Sequence, residues 1–145
     1  MIIAELIRRR HAASGIGWGG MILLSILLFV ALGAGPRSGG FLFDALVDDG
    51  VATFFKVFFS LATLLAMGIC LFTFKHEGEP YLLLLASALG MFLLGGSNDI
   101  VTLIVAIELV SIPSYILAGY RYGDSRSAEA SLKYVLYGAV SSGVM

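Results

Sequence analysis

Apolar residues run through this chain in long blocks, separated by short clusters of glycine, proline and charge. About 20 consecutive apolar residues cross a bilayer as a helix. The blocks predict helix A over residues 17–34, B over 52–74, C over 81–96 and D over 100–119. Helix E starts near Ala128 and is still apolar at Met145. Each break has a chemical reason. Gly35, Pro36 and Gly39-Gly40 end helix A, and Lys75-His76-Glu77-Gly78-Glu79-Pro80 separates B from C. Gly95-Gly96-Ser97-Asn98-Asp99 is a tight turn in which Ser97, Asn98 or Asp99 can cap helix D. Arg121 to Ser127 separates D from E. The run 41–47 is too short to span; with Asp44, Asp48 and Asp49 around it, it reads as a loop packed at the surface. The expectation is an all-α, polytopic transmembrane bundle of about five helices, with residues 1–145 forming one membrane domain.

Composition agrees. The chain is 59% hydrophobic and 13% charged, where soluble domains carry about 25% charged residues. A net charge of −1 and no basic patch with interleaved aromatics speak against a nucleic-acid partner. Cys70 has no second cysteine to pair with, and no Cys/His cluster has metal-ligand spacing. His11 and His76 stand beside basic residues at expected membrane edges, as solvated interfacial groups.

Positive charge orients the bundle. Arg8–Arg10, Lys75, Arg121 and Arg126 fall on one side if five helices alternate, and Arg37 falls on the other, with Lys56 just inside helix B. The N-terminus is therefore expected in the cytoplasm. Arg8–Arg10 followed by 21–30 and Ala31-Leu32-Gly33 has some features of a secretory signal. A cleaved signal would, however, invert the charge pattern downstream.

One carboxylate stands out. Glu108 is alone in the apolar stretch 100–118, with Pro113 five residues on. A charge at bilayer depth costs several kcal/mol and marks a functional position. At about 1.5 Å per residue, Glu108 lies near the midplane, and Lys133 about 8 Å nearer the inner side. One water could then link them; static glue between helices is the competing reading. Lys56 is close enough to the outer surface to snorkel. Pro113 cannot donate to the Leu109 carbonyl, and Ser111, Ser114 or water could satisfy such groups. Small residues on helix E (Gly138, Ala139, Ser141, Ser142, Gly143) permit close helix contact.

These residues also carry a resemblance. Ser97-Asn98-Asp99, then Glu108-Leu109-Val110-Ser111-Ile112-Pro113-Ser114-Tyr115-Ile116-Leu117-Ala118-Gly119-Tyr120, is similar to the signature of subunit N of the proton-pumping NADH–quinone oxidoreductases (respiratory complex I). Ser127-Ala128-Glu129-Ala130-Ser131-Leu132-Lys133-Tyr134 and Val135-Leu136-Tyr137-Gly138-Ala139 extend it, and Asp49-Gly50 with Phe54-Phe55-Lys56-Val57 adds a weaker match. The resemblance implies an antiporter-like fold in a bacterial inner membrane, among other membrane-arm subunits. Glu108 matches a glutamate that pairs with lysines of later helices during pumping, and Lys133 a lysine of the same buried polar chain. It implies no cofactor in this chain, with FMN, iron–sulfur clusters and quinone sites in other subunits. The family has more helices than this chain can hold, so the sequence reads as an N-terminal fragment or one piece of a split gene. The alternatives are an antiporter-like subunit of a cation/proton antiporter or membrane-bound hydrogenase, and a non-transporting membrane scaffold.

Overall fold

The computed structural model describes residues 15, 17–30, 33, 40–41, 45–73, 77–121 and 123–145. Arg8–Arg10, His11, Arg37, Asp44, Lys75 and His76 lie outside them, as do Ala31 and Leu32 of the signal-like stretch. Helix α1 covers Gly17–Val30. Strands β1 (Gly40–Phe41) and β2 (Leu46–Val47) follow, then α2 (Gly50–Thr73), α3 (Glu79–Gly96), α4 (Ile100–Ala118) and α5 (Ser125–Val144).

Three boundaries differ from expectation for local reasons. Helix α3 starts at Glu79 because Pro80 is in its first turn, where the missing N–H has no partner to lose. Helix α5 starts at Ser125 because Asp124 caps it, accepting a bond from the Arg126 amide at 3.0 Å. The stretch 41–47 is not wholly a loop. Gly40 pairs with Val47 and Phe41 with Leu46 in an antiparallel ribbon, which adds a small strand pair to the all-α bundle. The expected cap of α4 is Asp99, whose carboxylate accepts from the Thr102 amide at 2.5 Å.

The helices alternate in direction. Gly17, at the start of α1, faces Leu71 and Tyr81, the late part of α2 and the start of α3. Tyr120, just past α4, donates to Glu79 at 3.0 Å. That end therefore gathers the start of α1, the α2–α3 connection and the α4–α5 connection. The ribbon and the α3–α4 turn share the opposite end: Leu46 bridges Ser97, and the Asn98 amide donates to the Ala45 carbonyl at 2.9 Å.

Helix α3 is the centre of the packing. Leu24, Met67, Tyr81 and Ala88 form the buried cluster between α1, α2 and α3. On its other side α3 meets α4 at Gly90, where an added Cβ would fall 2.8–3.0 Å from Val110 and the Leu109 backbone. Without a water-driven hydrophobic effect between helices, such close backbone approach is what dispersion needs. Large apolar side chains elsewhere are exposed, among them Phe54, Phe58, Leu65, Phe72 and Ile100, as lipid-facing surfaces require.

Among the described residues α2, α3 and α4 are long and apolar enough to span a membrane, and α1 is a shorter apolar helix over its described length. The expected fifth span, α5, does not reach that hydropathy. Arg126, Glu129 and Lys133 occupy its first half.

Candidate functional site

The site is built on α4, whose two faces do different work. Ala106 is fully buried, Pro113 is buried, and Leu109 and Val110 abut Gly90 of α3. At about 100° per residue, Glu108 is on the far side of α4 from Ala106, Val110 and Pro113, and a quarter turn from Leu109. It shares a face with Tyr115 and Gly119, at i+7 and i+11. That face receives α5: Ser127 donates to the Ala118 carbonyl at 3.1 Å and Ser131 to the Tyr115 carbonyl at 2.8 Å. Tyr134 meets Tyr115 edge to face, 4.8 Å between ring centroids. Gly138 faces the Tyr115 hydroxyl so closely that a Cβ there would clash.

Glu108 is half-buried. Among the described residues no hydrogen bond or ion pair reaches its carboxylate; the ion pairs are Asp48–Lys56 and Glu129–Lys133. Lys133 does not close onto it. The Lys133 ammonium lies 2.6 Å from Glu129, one turn back on its own helix, and both side chains are mostly exposed, at 65% and 62%. The depth relation holds nonetheless. Ser131 is level with Tyr115, Lys133 is two residues further on, and Glu108 is seven residues back along α4. The axial offset is then about 7 Å at 1.5 Å per residue, close to expectation. The azimuth is what differs: Lys133 is about 200° around α5 from Ser131, away from the α4 contact. The Glu129–Lys133 spacing of four was visible in the sequence as a helical ion pair.

The serines near Pro113 also act differently from expectation. Ser111 donates to the Ile107 carbonyl and Ser114 to the Val110 carbonyl, both at 2.8 Å. Neither reaches Leu109, because a serine on a helix bonds back one turn to i−4, and Leu109 is i−2 and i−5 from them.

Lys56 does not snorkel freely to the surface. It pairs with Asp48 at 2.6 Å, with side chains 32% and 26% exposed. Asp48 was expected on a surface loop; the ribbon and the α3–α4 turn hold the chain that leads into α2, and so fix its position. No sequence spacing reveals this pair, since Asp48 precedes the helix that carries Lys56. Asp49 caps α2 by accepting from the Ala52 amide at 2.7 Å. The pair lines a cleft of about 390 Å³ whose walls are Leu46 and Val47 of β2, Leu89, Phe92, Leu93 and Gly96 of α3, and Leu109 of α4.

At the opposite end Tyr120 joins α4 to the start of α3 through Glu79. Burial first, then hydrogen bonds to the Glu77 and Glu79 carboxylates and their charge, push the Tyr120 phenol above its ordinary range. Among the described residues no group of three or more His, Cys, Asp or Glu could hold a metal ion.

The chain is similar to known membrane proteins. Residues 97–145 match the transmembrane family described as NADH:quinone oxidoreductase/Mrp antiporter. An NADH-quinone oxidoreductase subunit N from Chlorobium chlorochromatii is 41% identical over 85% of this chain and 25% of its own length. Another, from an Anaeromyxobacter species, is 36% identical over 100% of this chain and 29% of its own length. Among solved structures, a chain of respiratory complex I from Thermus thermophilus, determined with bound aureothin, superposes with a TM-score of 0.77 at 28% identity. That match covers 99% of this chain and 34% of that one. The chain thus spans between a quarter and a third of the length of these relatives.

Proposed function

We propose that this chain belongs to the family of NADH-quinone oxidoreductase subunit N and contributes to proton translocation in the membrane arm of such a complex, with Glu108 as the proton-carrying group. It is a multi-pass membrane protein. The observation that carries the reading is the Glu108 carboxylate itself: half-buried in an apolar span, one turn from a proline, without a partner among the described residues. A carboxylate kept at that depth costs several kcal/mol, and structural glue would need a partner, which the described residues do not supply. That argues against a passive scaffold. The relatives' names favour an oxidoreductase subunit over a cation/proton antiporter.

In this reading Glu108 takes up and releases a proton at its carboxylate oxygens as a cation approaches or withdraws on the α5 side of α4. Lys133, offset by about 7 Å along the helices, is the candidate. It would have to leave Glu129 and turn around α5, an exchange that a solvent-exposed pair permits because it holds weakly. Electron transfer from NADH to quinone takes place in other subunits, and no residue of this chain is assigned to it. The start of α1 and the Tyr120 end face the cytoplasm in this reading, and the ribbon end faces outward.

The test is Glu108→Gln in the complete protein within its complex, which keeps the volume and removes the titratable group. Proton pumping per electron should fall while assembly persists. An unchanged proton-to-electron ratio at full electron transfer would refute the role. Lys133→Met is the second arm, read by infrared difference spectra of the Glu108 carboxyl band. A pH midpoint that does not move when Lys133 is replaced would remove Lys133 from the site.

A further inference from the structure

We propose that the Asp48–Lys56 pair controls the access of water, from the ribbon end, to the turn of α4 that carries Glu108. The inference rests on the reading of Glu108 as a proton carrier and adds the route by which protons reach or leave it. The cleft beside the pair follows α3 from Gly96 to Leu89, about 10 Å at 1.5 Å per residue. It ends against Leu109, the residue next to Glu108 and a quarter turn around the helix. One end of the cleft therefore lies at the ribbon, and the other at the depth of the acid.

The chemistry of the walls makes the pair decisive. Asp48 and Lys56 are the only ionisable side chains among the described residues lining the cleft; between them and Leu109 it is lined by Leu89, Phe92 and Leu93. Apolar cavities stay dry even when water would fit, and hydrophobic constrictions close conduction pathways by dewetting. With the pair joined at 2.6 Å, each charge satisfies the other and neither draws water inward. When the two side chains separate, the Lys56 ammonium is left without its counter-charge. A lone ammonium beside apolar walls has to be hydrated, so water enters. At the inner end the Leu109 carbonyl offers an acceptor, because Pro113, four residues on, has no N–H to give it. The neighbouring Asp49 is engaged with the Ala52 amide and does not compete for Lys56.

The test uses the complete protein in membrane vesicles, with Cys70→Ser as background and a single cysteine at Leu93. An impermeant, water-requiring thiol reagent is added from the ribbon side. Labelling should be slow in the parent and faster by about tenfold or more when a charge is left unpaired by Asp48→Asn or Lys56→Met, since wetting controls access. It should be slow again in the double variant Asp48→Asn/Lys56→Met, which has no charge to hydrate, and in the charge swap Asp48→Lys/Lys56→Asp. Equal rates in all variants would overturn the proposal. So would a fast double variant, which would mean that the pair acts only as a mechanical tie. Labelling does not depend on pumping, so the two readings fail separately. Normal pumping in Glu108→Gln with charge-dependent labelling removes the proton carrier and leaves the water gate. Charge-independent labelling with impaired pumping in Glu108→Gln does the reverse.

Discussion

Replacing Gly90 by alanine tests the contact that positions the Glu108 turn. An added Cβ would lie 2.8 Å from a Val110 methyl, 2.9 Å from the Val110 nitrogen and 3.0 Å from the Leu109 carbonyl carbon. Carbon contacts are optimal at about 3.5–4.0 Å, so α3 and α4 must separate by roughly 0.5–1 Å. Two of the three obstructing atoms are helix backbone, which cannot rotate aside as a side chain could. Overpacking of this kind costs about 1–3 kcal/mol, or roughly a 5- to 140-fold shift in the folding equilibrium at 1.4 kcal/mol per decade. Gly68 is the control. It is also in a membrane-spanning helix, and nothing lies within 4 Å of a Cβ built there. Gly68→Ala should be neutral or stabilising, because alanine is the better helix former by about 1 kcal/mol. Both variants can be compared in the complete protein by thermal unfolding in detergent or by steric trapping in a bilayer. Equal stability of Gly90→Ala and Gly68→Ala would refute the close α3–α4 approach, and with it the placement of Leu109 at the floor of the cleft.

Other outcomes follow from single contacts. Asp99→Ala removes the cap of α4 and should cost about 1 kcal/mol, measurable in the same unfolding assay; Asp99→Asn should recover most of it. The Tyr120 contact is governed by pH. Its phenol is raised in the folded state, so the stability it adds is fully present below the ordinary tyrosine value of about 10 and is lost as pH rises through the higher folded value. Tyr120→Phe should therefore abolish one alkaline step in the ultraviolet difference spectrum and flatten stability against pH in that range. An unaltered alkaline profile would show that Glu77 and Glu79 do not act on this phenol. Cysteines at Glu77 and Asn98 in a Cys70→Ser background should react with an impermeant reagent from opposite sides of the membrane. Labelling from one side would contradict the alternation of α3.

Much of this protein is legible along one dimension. In lipid a helix must satisfy its own backbone and cover a fixed thickness, so run length and turn chemistry alone place α2, α3 and α4 to within a few residues. The same linear logic placed Glu108 near the middle of α4, since rise per residue converts sequence distance into ångströms. What lies across the helix axis was not legible. The axial offset of Lys133 from Glu108 came out close to expectation, but its azimuth depends on which stripe of α5 packs on α4. Ser127, Ser131, Tyr134 and Gly138 decide that, and they turn the lysine toward Glu129. The Asp48–Lys56 pair needed the ribbon, whose partner strand and anchor at Ser97 are contacts between segments distant in sequence. Apolar runs specify which residues enter the membrane; only the packing of small residues and side-chain donors between helices selects the faces that meet, and hence which charges find each other.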